Sequence, residues 1–326
     1  MKKISFSFLL LVFAGSVSAQ KVKFTEYNLP NGLHVVLHQD NTAPVVAVSV
    51  MYHVGSKDDS PGRSGFAHFF EHLLFEGSKN IPRGEFFKIV SKNGGQNNAN
   101  TTQDRTFYYE VFPSNQLKMG LWLESERLMH PIINTIGVKT QNEVVKEEKR
   151  RSDDNRPYGN FINDIFSSLF SKHPYHNNLI GNMQDLDAAT LDEFLAFNKK
   201  FYVPNNAVLV IAGDLQINDA KKWVEAYFGD IPKGAPVVRE KYVESPITKE
   251  IIDTAYDANI QIPAIMTAYR VPGITSKEST ALQLVSSVLS QGASSRMYKK
   301  MVDEKKNAVQ VGTFNFALED YGAYIS

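Results

Sequence analysis

Apolar and polar positions along this chain follow two rhythms. GLHVVLHQD and PVVAVSVMYHV, between residues 32 and 54, alternate or run apolar with β-branched residues, as strands do. NAVLVIAGD at 206–214 repeats that pattern. GGQNNANTTQDRTFYYEVFP at 94–113 opens on two glycines and reads as a polar, then aromatic strand. Residues 64–78, 115–130 and 140–152 carry the helical rhythm instead. Strands interleaved with helices predict an α/β or α+β domain, its helices packed on a sheet.

Past residue 228 the pattern breaks and restarts. GDIPKGAPVVREKYVESPIT (229–248) is rich in proline and polar residues and predicts a linker. Beyond it, PAIMTAYRVPG followed by ESTALQLVSSVLSQGASS echoes PVVAVSVMYHVG followed by the helix at 64–78. Placing Gly77 over Gly292 sets His68, Glu71 and His72 over Gln283, Ser286 and Ser287. The second copy keeps the helix and lacks the three polar groups, so such a helix packs without them. The predicted organisation is a leader over 1–19, a metal-binding domain over 20–228, a linker over 229–248, and a second homologous domain over 249–326. That last domain has no metal site and reads as C-terminally truncated.

Composition narrows the picture. At 326 residues, 43% of them hydrophobic and 21% charged, the chain can build a sizeable core. Lys+Arg and Asp+Glu balance at 35 each, which leaves no field to draw nucleic acid or an anionic membrane. MKKISFSFLLLVFAGSVSA has a basic start, a short apolar run and small residues at its end, the pattern of a secretory leader. No second long apolar run follows, so the mature chain is expected to be exported, to the periplasm or beyond, with no integral membrane segment. There are no cysteines, so a metal site must use His and carboxylates.

The candidate chemistry lies in SGFAHFFEHLLFEGS. His68 and His72 stand one turn apart on a helix with Glu71 beside them, placed to share one Zn²⁺ while the carboxylate holds a water. A catalytic zinc has three protein ligands and one open position, so a third ligand is required. In TQNEVVKEEKRRSDD, Glu147 and Glu148 point about 100° apart. Glu147 shares its face with Glu143, Arg150 and Arg151, a solvated face. Glu148 stacks with Val144 and Val145, the expected buried side, where a carboxylate needs a partner. Glu148 is the better ligand candidate, and a nearby Lys or Arg is the plain alternative.

His68-x-x-Glu71-His72 is the inverted zincin motif, and its surroundings resemble the pitrilysin/insulinase family of zinc metallopeptidases, in the bacterial processing-peptidase-like branch. Segments GGQNNANTTQDRTFYYE, HPYHNNLIGNMQDL and FYVPNNAVLVIAGD resemble family segments in the same order. The family places its third ligand some 75 residues past the second His, and 75 residues separate His72 from Glu148. The resemblance implies an α+β fold of duplicated domains, each a mainly antiparallel sheet covered by helices. It implies one Zn²⁺ per chain held by His68, His72 and Glu148, with Glu71 as general base. Asn98, Ala99 and Thr101 correspond to a strand that pairs with extended peptide, and Gln141 to a residue supporting the metal ligands. Two departures matter. Gln141 replaces a Glu common in relatives, and Val302 and Val309 replace an Arg and a Tyr that hold substrate in active single-chain relatives. The expected function is an exported zinc endopeptidase for peptides or unfolded segments. Its expected setting is the zinc-bearing subunit of a heterodimer whose other chain supplies the Arg/Tyr pair, or a homodimer. A non-catalytic scaffold subunit is the competing expectation.

Overall fold

The computed structural model describes residues 22–326, so the leader expected over 1–19 lies outside the described residues. Strand β1 (Thr25–Asn28), β2 (His34–Gln39) and β3 (Val45–Tyr52) precede helices α1 (Phe66–Leu73) and α2 (Phe86–Lys92). The hairpin β4 (Gln96–Thr101) and β5 (Thr106–Pro113) follows, then α3 (Leu117–Met129), α4 (Thr135–Lys149), α5 (Phe161–Leu169), α6 (Met183–Ala188) and α7 (Leu191–Phe201). Strand β6 (Ala207–Gly213) and α8 (Ile217–Phe228) complete the first unit. Its six strands lie in the order β1-β2-β6-β3-β5-β4, antiparallel except for the parallel pair β2–β6.

Period-two alternation decides which face is covered. Val46, Val48, Val50 and Tyr52 of β3, with Tyr108 and Phe112 of β5, are buried on the face that α1 and α3 cover, while α8 packs on β2 and α3. The opposite face is half-buried. The segment 94–113 is two strands: its Asn-rich part is itself β4, the outermost strand of the sheet, paired in register with β5 from Gln96↔Val111 to Thr101↔Thr106.

Helix α1 is fixed by its aromatics. Phe66 stacks on Phe194 of α7 at 4.6 Å between ring centroids, and Phe70 on Phe197 at 5.2 Å and Tyr202 at 4.9 Å. Each such ring taken out of water contributes about 1.5–3 kcal/mol. At the start of α1 the buried Asp59 carboxylate accepts from the backbone N–H of Gly65 (2.8 Å) and of Ala67 (3.0 Å), satisfying donors that the helix leaves open. Gly65 has φ +89°, and a Cβ there would lie 2.3 Å from the Ile180 carbonyl oxygen, so only glycine lets the chain turn into α1 against that loop.

The second unit contains β7 (Ala268–Pro272), α9 (Lys277–Ser290), β8 (Phe314–Ala317) and β9 (Tyr321–Ile325), its strands antiparallel in the order β7-β9-β8. Helix α5 packs on this sheet, with Phe166, Leu169 and Phe170 joining Leu318, Ala323 and Ile325 in a small separate core. The α+β architecture of antiparallel-rich sheets covered by helices is the one the sequence predicts. Residues 229–267 carry no regular strand or helix yet are tied down. Arg239 bonds Asp58 at 2.8 Å and also the His53 carbonyl. The buried Glu244 accepts from the backbone N–H of Lys172 and of His173, both at 2.7 Å, and pairs with Arg270 at 3.2 Å.

A charged joint connects the units. The Lys57 ammonium, its side chain 7% exposed, sits 2.9 Å from Asp104 in the β4–β5 turn, 2.6 Å from Glu319 and 3.4 Å from Asp320. His53 reaches the same Glu319 carboxylate at 2.6 Å. Against the penalty of burial, hydrogen bonds from Lys57 and His53 hold Glu319 down to about 2.

Candidate metal centre

Helices α1 and α4 pack side by side, and their facing residues converge. His72 Nε2 lies 3.1 Å from one Glu148 carboxylate oxygen and His68 Nε2 3.6 Å from the other. One ligand atom from each of the three residues lies within 4.8 Å of the others. Among the described residues this is the group of His, Asp or Glu side chains close enough to hold a metal ion together. The donor set fits Zn²⁺: two imidazole nitrogens and a carboxylate, with Glu148 42% exposed so that one side stays open. His68 is buried and its rear nitrogen, Nδ1, is bonded to no protein atom, which leaves Nε2 as the nitrogen turned to the cluster. The pull of the His68 imidazole, then of His72, holds the Glu148 carboxyl far below the usual carboxylate range, against the desolvation of its site. An anionic carboxylate facing two imidazoles is the state a cation requires.

Local structure explains how α4 presents Glu148. Val145, one turn before it, is fully buried and anchors the helix, while Val144 is 44% exposed. The buried side predicted from both valines is therefore carried by Val145 alone. Glu147 points to solvent and pairs with Arg150 at 3.1 Å. Just past Glu148 the helix widens into a π-helical turn, Arg150–Asp154, a distortion frequent at functional sites.

Glu71 lies on the same helix as the two histidines, and its Oε2 accepts from the Thr101 hydroxyl at 2.6 Å. Thr101, expected on a peptide-binding strand, is 8% exposed at the end of β4 with its side chain turned to Glu71. Ala99 is half-buried in the same strand, and the exposed Asn98 bonds the Ala99 backbone N–H through its own Oδ1 at 2.9 Å. Gln141 does not bond the ligand residues. Its Nε2 donates to Glu76 at 2.5 Å, and Arg83 pairs with the same carboxylate, so Gln141 ties α4 to the end of α1. Glu76 and Asp59 escaped sequence reasoning. The one signal for Glu76 was an acid within an apolar run, and Asp59 sat in a loop with no visible partner. Val302 lies half-buried in the π-helical turn Tyr298–Glu304, and Val309 is 77% exposed.

Known proteins are similar to this chain in sequence and fold. Residues 34–182, which contain all four central residues, match the family model Insulinase (Peptidase family M16), and residues 188–325 match Peptidase M16 inactive domain. The zinc protease PqqE of Helicobacter pylori is 31% identical over 98% of this chain and 73% of its own length. A crystal structure of a Helicobacter pylori protease superposes with a TM-score of 0.84 at 30% identity, covering 94% of this chain and 74% of that one. The periplasmic protease PqqL of Escherichia coli shares the fold at a TM-score of 0.77 and 18% identity, over 94% of this chain and 35% of that one. With a relative this similar along nearly its whole length, the chain belongs to the insulinase family of M16 peptidases.

Proposed function

We propose that this protein is a zinc-dependent peptidase in which His68, His72 and Glu148 hold one metal ion and Glu71 is the general base. The supporting observation is the convergence of the three ligand atoms within 4.8 Å, with a second carboxylate, that of Glu71, one residue from His72. The chemistry such an ion supplies when bound is Lewis-acid: polarisation of a carbonyl and activation of water at neutral pH. The chain's own residues do the rest. Glu71 takes a proton from water and returns it to the leaving amine. The outer edge of β4, at Asn98 and Ala99, offers backbone groups to an extended peptide, which suits peptides and unfolded segments better than folded domains. Residues 20–228 are the metal-bearing unit in this reading, and 249–326 support it across the strap at 229–248.

Export to the periplasm is part of the proposal, supported by the basic, apolar and small-residue order of residues 1–19 and by the periplasmic location of PqqL. Among the described residues no helix is long and apolar enough to cross a membrane. A homologous partner subunit supplying an Arg/Tyr pair is supported by Val302 and Val309, apolar side chains unable to donate to an oxyanion. If the purified chain cleaves peptides at full rate with no gain from a homologous subunit, the two-chain arrangement fails. The match of residues 188–325 to an inactive domain favours a second reading, a scaffold subunit without turnover. Zinc content and Glu71→Gln decide between them. The peptidase reading expects one zinc per chain in both proteins, with turnover lost in the variant by about 10²–10⁴-fold. Absence of zinc from the purified protein, or undiminished turnover in Glu71→Gln, overturns it.

A further inference from the structure

The Thr101 hydroxyl is spent on Glu71 rather than on solvent or a backbone carbonyl. It donates to Oε2 at 2.6 Å, from a residue 8% exposed. Its own place is unusually well held. Across the hairpin, Thr106 is fully buried and donates to the Val54 carbonyl at 2.9 Å. In the turn that follows, the Thr102 and Gln103 carbonyls accept from the backbone N–H of Ser56 (3.2 Å) and Lys57 (3.0 Å). Gly55 permits this approach, since a Cβ there would meet Gln103 backbone atoms at 2.4 Å. The Thr102 hydroxyl accepts from the N–H of Asp104 and of Arg105, both at 3.2 Å, closing the turn on itself. A hydroxyl mounted on so fixed a turn sets the position of whatever it grips.

We propose that Thr101 is a positioning residue for Glu71, an inference that rests on the peptidase reading for its catalytic consequence. A glutamate on a helix surface has three rotatable bonds and wanders among rotamers unless something fixes its end. The Thr101 hydrogen bond pins Oε2 and leaves Oε1 as the oxygen presented to water. Because Thr101 closes β4, the strand offered to peptide, the base and the peptide's bed are held by one element. Misplacing a proton acceptor by about 1 Å can lower a rate by about a hundredfold without weakening binding.

Thr101→Val keeps the shape and removes the hydroxyl, and Thr101→Ser keeps the hydroxyl. The expected result for Thr101→Val is kcat down by about tenfold to a hundredfold with KM within about twofold, and zinc content and Tm unchanged. Thr101→Ser is expected to recover kcat to within about threefold. A readout independent of turnover is the Glu71 side chain in crystals of the metal-free proteins. The wild type and Thr101→Ser are expected to show one rotamer, and Thr101→Val more than one. The inference is overturned by wild-type kcat in Thr101→Val, by an effect on KM alone, by a Thr101→Ser no better than Val, or by a Glu71 that stays in place without the hydroxyl. Failure of the peptidase reading has a different signature, a wild-type protein that holds no zinc and turns nothing over. Even then the Glu71 rotamer decides whether Thr101 holds the carboxylate.

Discussion

Arg127 of α3 carries a full charge into the interior, and every atom of its head is used. Its side chain is 0% exposed, as are those of Glu110 and Glu124, at 3.3 and 3.1 Å. The guanidinium lies 4.2–4.5 Å from the ring centres of Tyr108, Phe75 and Phe86, and donates to the Leu74 carbonyl, just past the end of α1, at 3.0 Å. A cation at a helix C-terminus is favourable, and this one steadies the turn that holds Glu71 and His72. Burial and the Glu124 charge push the Glu110 carboxyl well up. Arg127→Met strands this buried acidic pair and is expected to lower stability by about 3–5 kcal/mol, read by urea unfolding. At the centre itself, under the peptidase reading, Glu148→Gln removes the anionic member of the cluster and is expected to lose zinc, read by metal analysis after dialysis, while the fold stays intact. Glu148 was singled out from sequence by the periodicity of its helix and, through the family resemblance, by the 75 residues that separate it from His72. The partners of Gln141 and Arg127 carry no such pattern or motif, and only the packed structure chooses them.

At the scale of elements, α1 is short and depends on how it begins. Gly65→Val is expected to lower stability by more than about 3 kcal/mol, because a branched side chain resists φ +89° and its Cβ meets the Ile180 carbonyl. Circular dichroism melting and zinc retention should fall together, since the turn that displaces α1 also displaces its histidines. The strands β2, β3 and β6 were legible because each buries one face and alternates accordingly. Strand β4 was harder to read. Asparagine and glutamine carry little strand propensity, and what makes QNNANT a strand is its ladder with β5, where Asn98 faces Tyr109 and Ala99 faces Tyr108. The valines beside Glu148 teach the same point on a helix. Sequence supplied the face, and tertiary packing buried Val145 while leaving Val144 outside.

For the whole molecule, the charged joint at Lys57 links the second unit to the turn that carries Thr101. Glu319 has a folded-state pKa of about 2, below the value of a free Glu side chain, so its contribution is present above about pH 4.5 and is lost as pH falls toward 2. Glu319 is 45% exposed, and solvent screening keeps that contribution below about 1 kcal/mol. Glu319→Gln is expected to melt slightly below the wild type at pH 7, with the gap closing between pH 4.5 and 2 in a series of thermal melts. The linker expected over 229–248 was legible as irregular chain from its prolines, whereas 249–267, expected to open the second domain, is irregular as well. The linker's attachments through Arg239 and Glu244 were not legible, because a polar, proline-rich composition describes a free tether equally well.

The open edge of β4 has a consequence for selectivity under the peptidase reading. A strand edge offers its partner only backbone hydrogen bonds, and a segment already in a helix or sheet has none to spare. Such an enzyme senses how often a segment comes loose more than what residues it contains. For a partly folded protein, each additional 1.4 kcal/mol or so of local stability should slow cleavage about tenfold. Ranking one protein's cut sites by rate would then reproduce the order of its hydrogen-exchange opening free energies, so that the peptidase acts as a probe of its substrates' local unfolding.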